Sequence, residues 1–511
     1  MDPTAADLPR YGLYIDGCWT EAADGGLMDV NEPARGAPMA QVAAATPADV
    51  DRAVAAARAA FDNGPWPHTA PHERARILHA IADLIAQHAD EFAELDARNL
   101  GAPLRKIMFV DLPGVQDHFH TFAELARRSP YEPAPWTDMP GVSWNFIWRE
   151  PIGVCGQIVP WNFPLLFAAW KLAPALATGN CVVFKPAPET PLSALRLAGL
   201  IHESGLLPRG VLNIITGPGA EIGEALVAHP QVDKISFTGS TRTGRRVMEL
   251  AAGTVKRLAL ELGGKSPALI LPDADLALAT DGVLFGVYMN AGQACEAGTR
   301  CFVPERLHDE LVDRLVRRAA ALRLGDPLDL QTDIGPLVSE KQRRIVEEYI
   351  AVGKAEGARL ALGGERPEVP GFERAPFVAP TIFTDARNDM RIAQEEIFGP
   401  VLTVIPYRDV SEAIQLANRS AYGLAAAVWS GDLQQAIEVA RRIRCGTVWI
   451  NDHHLILPHT SFTGVKQSGF GNEHGLPGYL EYTVPKHIHV DLMRRRDGRL
   501  WWDAVLPPAE G

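Results

Sequence analysis

Hydrophobic and polar positions change rhythm twice along this chain. Before about residue 128 the apolar residues recur at helical spacing. Thr46-Pro47-Ala48-Asp49 reads as an N-cap followed by proline at the first helical position, and predicts an Ala-rich helix. Pro71 opens a longer helix, with Ile77, Ile81, Leu84 and Ile85 on one face. The first third is therefore expected to be helical. Between about Arg128 and Arg149 proline and tryptophan accumulate and the helical period disappears. That stretch predicts an excursion, a strand pair used in assembly.

From Pro151 short apolar runs take over, at Val154–Val159, Cys181–Phe184, Val211–Ile215, Ile235–Phe237 and Ala268–Leu271. Helical segments such as Ser193–Glu203 and Glu221–Ala228 lie between them. The second half repeats the alternation, with helices near Leu307–Leu322, Lys341–Gly353 and Leu433–Ile443 and strands near Val401–Ile405 and Thr447–Ile450. Buried strands alternating with helices predict an α/β fold of doubly wound parallel sheets. No internal repeat interrupts the pattern. The tail, with Arg494-Arg495-Arg496 and Trp501-Trp502, reads as a solvated end or as a segment docked on a neighbouring subunit.

Composition narrows the partners. The chain has 511 residues, enough for two or three domains, and a net charge of −13. An acidic balance disfavours nucleic acid and anionic membrane surfaces. The six cysteines are scattered with no CxxC pair, so zinc-site spacing is absent and a reducing compartment, the cytoplasm, is expected. The acidic, polar N-terminus is unlike a secretory signal. No apolar run reaches the roughly 18 residues of a membrane helix. Lys171, Gly179 and Asn180 break the best candidate. His453 and His454 lack a third ligand, and no metal is expected.

Three glycine-rich turns follow predicted strands. Gly217-Pro218-Gly219 opens a helix, although its third glycine comes one place too late for GxGxxG. In Phe237-Thr238-Gly239-Ser240 the turn aims backbone N–H groups and a helix N-terminus at a phosphate. Gly263-Gly264-Lys265-Ser266 fails as a phosphate loop, because Ala259 stands where the first glycine is needed. Each turn alone is compatible with tight packing; two in one alternating half favour a dinucleotide.

The most informative segment is Asn290-Ala291-Gly292-Gln293-Ala294-Cys295-Glu296-Ala297-Gly298. A lone cysteine on a tight backbone suits a nucleophile, which must act as thiolate and so needs an activating environment. Asn162, in Pro160-Trp161-Asn162-Phe163-Pro164 after a strand, can offer an amide to an oxyanion or cap the next helix. Glu261, flanked by leucines at a strand end, fits a general base with raised pKa or an ion pair with Lys265. Glu396 fits a ligand contact or a solvated carboxylate, and Lys185 a ribose contact or a surface lysine.

Together these segments resemble the aldehyde dehydrogenase superfamily. Pro160–Pro164, Phe237–Ser240, Glu261–Lys265, Gly292–Arg300 and Glu396–Pro400 match in order, and the similarity runs from about Tyr14 to Val490. The resemblance implies Cys295 as nucleophile, Asn162 with the Cys295 N–H as oxyanion hole, and Glu261 as base, with Lys171 and Glu473 supporting proton release. It implies a cofactor site of Trp161, Lys185, Glu189, Gly219, Gly239, Ser240, Glu396 and Phe398, taking NAD, with NADP also compatible. The acid expected three places after Lys185 is Pro188 here, and Glu189 comes one place later. Phe462-Thr463-Gly464 stands where Phe-Gly-Gly is usual, so that loop's conformation is expected to differ.

By the same matching, Phe163, Phe167, Trp170, Met289, Glu296, Asp452, His454, Ile456 and Phe462 would line the substrate pocket. The aromatic residues suit an apolar or aromatic chain, with the acids adding polarity at or near the entrance. The block Val465–Gly471 is similar to branches that oxidise amino-aldehydes or betaine aldehyde. The implied domains are a cofactor domain (1–128 and 150–262), a catalytic domain (263–478), oligomerisation strands (129–149 and 479–495) and a tail (496–511). A homodimer or homotetramer acting on a small-molecule aldehyde is expected. Two rivals are a coenzyme A-acylating enzyme, which Glu261 argues against, and a non-catalytic NAD-binding structural protein.

Overall fold

A computed structural model describes residues 8–128, 131–134, 143–493, 496 and 499–507. Residues 1–7, 129–130, 135–142, 494–495, 497–498 and 508–511, and with them part of the proline-rich excursion and of the tail, lie outside the described residues.

Two sheets carry the molecule. In the eight-stranded sheet the order is Gly469–Phe470, Arg257–Glu261, Lys234–Thr238, Val154–Ile158, Cys181–Lys185, Leu212–Ile214, Leu13–Ile15 and Cys18–Thr20. Its centre is parallel, as the buried apolar runs predict, and both edges are antiparallel. The seven-stranded sheet runs Arg359–Leu362, Thr381–Thr384, Val401–Tyr407, Arg300–Pro304, Pro267–Ile270, Ala425–Trp429 and Thr447–Ile450, parallel except at its first edge. Each sheet contributes to its own hydrophobic core.

Capping chemistry explains the first helix, Pro47–Asn63. The Asp49 carboxylate accepts hydrogen bonds from the Thr46 N–H at 2.8 Å and its hydroxyl at 3.0 Å. Ile77, Ile81 and Ile85 of Pro71–Gln87 are buried, as their spacing predicts. The helical reading of the first third needs correction, however. Five strands lie within Arg10–Ala43, two in the large sheet and three in a small one. They are two to seven residues long and mostly edge-facing, so their polar and apolar positions carry no clear period.

The apolar segment interrupted by Lys171 is the helix Pro164–Ala177, with all 14 residues buried. Such a helix is hydrophobic all round because protein surrounds it. Among the described residues no helix is long and apolar enough to cross a membrane. The proline-rich excursion contains the predicted strands: Tyr131–Pro133 pairs with Ser143–Pro151, which pairs along its length with Thr483–Asp491. Trp144 and Trp148 are exposed on that sheet. In the tail, the Arg499 guanidinium lies 4.4 Å from the centre of the Trp502 ring and pairs with Asp491.

Candidate active site

The segment leading to Cys295 is held on a strained turn. Asn290 and Ala291 adopt left-handed backbone, with φ of 53° and 54°. Such conformations persist where the surroundings over-determine them. Here the Asn290 amide donates to the carbonyls of Asn162 (2.8 Å) and Gln293 (3.1 Å), and the Gln293 Oε1 accepts from the Val338 N–H at 3.0 Å. Cys295 follows, half-buried, on the wall of a cavity of about 290 Å3. The cavity also takes Trp161, Asn162, Phe167, Gly239, Ser240, Glu396 and Phe398 into its wall.

Each candidate finds a definite place. Phe163, not Asn162, is the N-cap of the next helix, so the capping alternative fails. The Asn162 amide instead donates to the Gln293 carbonyl at 2.9 Å, beside Cys295. Glu261 is buried, and neither carboxylate oxygen has a hydrogen-bond partner of ordinary geometry among the described residues, although the nearby Gly464 N–H acts to lower its pKa. Burial first and Glu473 second hold its pKa well above the usual carboxylate range, with Lys171 opposing. The ion pair with Lys265 does not form: the Lys265 ammonium is buried without a partner, and burial pulls its pKa down to about 7.

Lys171 and Glu473 form a buried ion pair at 2.5 Å, shared with the Ser236 hydroxyl. Glu396 is no solvated carboxylate. Burial raises its pKa to about 7, and its Oε1 accepts from the Gly264 N–H at 3.0 Å. Lys185 is no surface lysine either; burial lowers it to about 8, and its ammonium donates to the Pro186 carbonyl at 3.2 Å.

The cofactor candidates divide. Trp161 and Phe398 meet edge-to-face at 5.2 Å in the cavity. Ser240 caps the helix Thr241–Ala251, its hydroxyl accepting from the Thr243 N–H at 3.2 Å. Lys185, Glu189 and Gly219 lie outside the cavity lining, although Lys185 ends a strand of the same sheet and Gly219 opens a helix after the neighbouring one. Glu189 is exposed. A dinucleotide suits this edge. The Thr238 hydroxyl is buried without a partner among the described residues, and a side chain at Gly219 would meet nothing within 4 Å. Two helices thus present N-termini beside glycine turns.

Phe163, Phe167, Trp170 and Phe462 form a chain of rings with successive centroids 5.7, 5.1 and 5.7 Å apart. Met289 and Ile456 are partly buried against the same core. Two expectations need correction. Glu296 is not at an open entrance: its buried carboxylate lies 2.9 Å from His454 Nδ1 and accepts the Cys295 thiol at 3.1 Å. His453 and His454 are loop residues, but both are buried. Nor is Cys295 in an activating field. Burial first, then the charges of Glu296, Glu396 and Glu261, push the thiol well above its usual range. Thr463 has no left-handed backbone of the kind that favours glycine. Among the described residues no group of three or more His, Cys, Asp or Glu could hold a metal.

A family model described as the aldehyde dehydrogenase family matches residues 19–488. The chain belongs to the aldehyde dehydrogenase family. It is 45% identical to a betaine aldehyde dehydrogenase of Bacillus subtilis over 93% of this chain and 96% of that one. It is 42% identical to human retinal dehydrogenase 2, covering 94% of this chain and 92% of that protein. Among solved structures, a betaine aldehyde dehydrogenase from Staphylococcus aureus in complex with NAD+ superposes with a TM-score of 0.93 at 41% identity, covering 96% of this chain and 97% of that one.

This aldehyde dehydrogenase also contains neighbours that sequence reasoning missed. Gln293 supplies the carbonyl that holds Asn162. His118 and His474 pack on Trp170, with their Nε2 atoms 3.2 Å apart. Ser236 bridges Lys171 and Glu473 from a third element. Gln293 lies within the Cys295 segment, but nothing there marks its carbonyl; His118, Ser236 and His474 lie far apart in the chain, and nothing in their spacing marks them.

Proposed function

We propose that the chain oxidises an aldehyde to its carboxylic acid with NAD+, through a thioester on Cys295. The reading is carried by the juxtaposition of Cys295, the Asn162 amide and the cleft between the glycine turns. The Cys295 sulfur adds to the aldehyde carbon, and the developing oxyanion is received by the Asn162 amide and the Cys295 N–H. A nicotinamide held by Trp161, Glu396 and Phe398 would supply the hydride acceptor for the tetrahedral carbon. Glu261 then takes a proton from water as it attacks the thioester. Lys171 and Glu473 set the charge environment in which Glu261 holds that proton.

For the nucleotide, Trp161, Glu396, Phe398 and the turn at Gly239–Ser240 would hold the nicotinamide half, and Lys185, Glu189 and Gly219 the adenosine half. NAD+ is favoured by the exposed carboxylate of Glu189 near Lys185, placed to bond a ribose hydroxyl and repel a phosphate. The substrate class is a cationic amino-aldehyde or betaine aldehyde, held by aromatic faces. It rests on the 45% identity to a betaine aldehyde dehydrogenase and on the rings of Phe163, Phe167, Trp170 and Phe462, with Met289 and Ile456 completing the wall.

The eight-stranded sheet serves as the cofactor domain, the seven-stranded sheet as the catalytic domain, and the strands bearing Trp144 and Trp148 as the homo-oligomer contact. Six free cysteines suit the cytoplasm. A panel of aliphatic, aromatic and cationic aldehydes, assayed with NAD+ and with NADP+, tests the whole reading. Reduction of NAD+ that is strongest with a cationic aldehyde and lost in Cys295→Ala is expected. Failure of every aldehyde to reduce either nucleotide overturns it.

A further inference from the structure

The hydrogen bond made by the reacting sulfur is not to Glu261. Neither oxygen of Glu261 has a partner of ordinary geometry among the described residues, whereas Cys295 Sγ donates to Glu296 Oε2 at 3.1 Å. The other Glu296 oxygen lies 2.9 Å from His454 Nδ1, and His454 Nε2 lies 3.1 Å from the Gly286 carbonyl. A carbonyl only accepts, so Nε2 carries a hydrogen. Nδ1 faces a carboxylate, which also only accepts when ionised. The pair therefore shares one further proton between His454 Nδ1 and Glu296 Oε1. Both side chains are buried, at 4% exposure for Glu296 and 2% for His454.

The surrounding charges complete the picture. His453 Nε2 lies 3.1 Å from the Glu296 main-chain carbonyl, and burial, then His454, hold that ring's pKa down to about 3. Glu396 and Glu261 act on Cys295 from the other elements. Burial alone would raise the pKa of Glu296. The hydrogen bond and charge of His454, with the thiol's hydrogen bond, outweigh it and hold the carboxyl at about 2. Burial, then Glu296, raises the thiol's pKa, and the thiol's own hydrogen bond runs to Glu296 Oε2 at 3.1 Å. The acceptor in contact with the thiol proton during attack is Glu296 Oε2.

We propose that Glu296 accepts the Cys295 thiol proton as the carbon–sulfur bond forms, and that His454 positions this carboxylate. This rests on the reading of Cys295 as nucleophile. The sulfur lone pair bonds the carbonyl carbon, the C=O pair moves onto oxygen beside Asn162, and the proton passes from Sγ to Glu296 Oε2. Glu296 becomes a carboxylic acid, still held by its contact with His454. After hydrolysis expels the sulfur, the same proton returns to it. The chain thus has two proton acceptors with separate duties, Glu296 for acylation and Glu261 for hydrolysis. Glu296 touches the reacting atom and is a catalytic residue; His454 is a positioning residue.

Acylation can be isolated with 4-nitrophenyl acetate and the full-length protein without nucleotide, reading the burst of nitrophenolate against pH. Glu296→Gln should slow the burst on the order of 10²-fold with its amplitude kept, the usual weight of a general base. Glu296→Asp, which keeps a carboxylate, should recover at least about tenfold of that loss, within the same range. Glu261→Gln should keep the burst and stop turnover after it. His454→Gln should move the acid limb of the burst to higher pH, because Glu296 loses the charge that keeps it ionised. A merely structural histidine would lower the rate without moving the limb, and that result removes His454 from the proposal. A burst in Glu296→Gln and Glu296→Asp as fast as in wild type, or one lost instead in Glu261→Gln, overturns the role of Glu296. A burst that persists in Cys295→Ala sinks the nucleophile reading itself, which is a separate failure.

Discussion

Lys171 Nζ lies 2.5 Å from Glu473 Oε1 in a pair with almost no solvent exposure, and the two charges act on Glu261 in opposite directions. Glu473 raises the Glu261 pKa and Lys171 lowers it. Lys171→Met should therefore shift the acid limb of steady-state turnover to higher pH, and Glu473→Gln should shift it lower. Each single change should also cost about 3–5 kcal/mol of stability, because it leaves the other charge buried and unpaired. pH–rate profiles and denaturant melts check both. Shifts of the same sign in the two variants would refute this account of the base.

Glu261 itself couples activity to stability. Its folded pKa is above the unfolded value, so the folded state holds the proton more tightly. Its contribution to stability is present below the unfolded carboxyl pKa and is lost as pH rises through the folded one. Glu261→Gln removes that loss. The variant should be hydrolytically dead, yet its thermal midpoint should exceed wild type by a margin that grows with pH. A margin that shrinks as pH rises would contradict the sign worked out here.

Gly264 is required by close approach. A Cβ there would sit 2.2 Å from the Cys295 carbonyl oxygen, a backbone atom that cannot step aside cheaply. Gly264→Ala should cost about 1–3 kcal/mol or more in stability and displace the nucleophile turn. Calorimetry and the rate of thiol alkylation at Cys295 would detect both effects, and a silent substitution would show that the turn relaxes freely.

Nucleotide choice should turn on Glu189. It is exposed near Lys185, and its backbone carbonyl accepts from the Asn99 amide at 2.9 Å, which anchors the turn independently of the carboxylate. Glu189→Gln should shift the ratio of kcat/KM for NAD+ over NADP+ by about tenfold towards NADP+, roughly 1.4 kcal/mol. Nucleotide titrations with a fixed aldehyde provide the ratio. An unchanged ratio would place discrimination elsewhere.

The periodicity of the chain by itself determined the parallel layers. Strands such as Val154–Ile158 and Cys181–Lys185 are buried on both faces, so their sequences are mostly apolar, and Thr46 with Asp49 marks a helix start through a purely local bond. Cys295, Asn162 and Glu261 could also be singled out as candidates, because each sits in a short motif at the end of an element. The strands between Arg10 and Ala43 were not, because most are too short to show a one-sided period. Only the tertiary structure decided what surrounds those motifs. Glu261 lost its expected partner Lys265 and gained the field of Lys171 and Glu473, and Glu296 left the entrance for His454 and the thiol. Local sequence dictates which backbone an element adopts. Burial and charge depend on residues hundreds of positions away, such as Glu473 opposite Lys171, and exist only once the sheets have closed around the site.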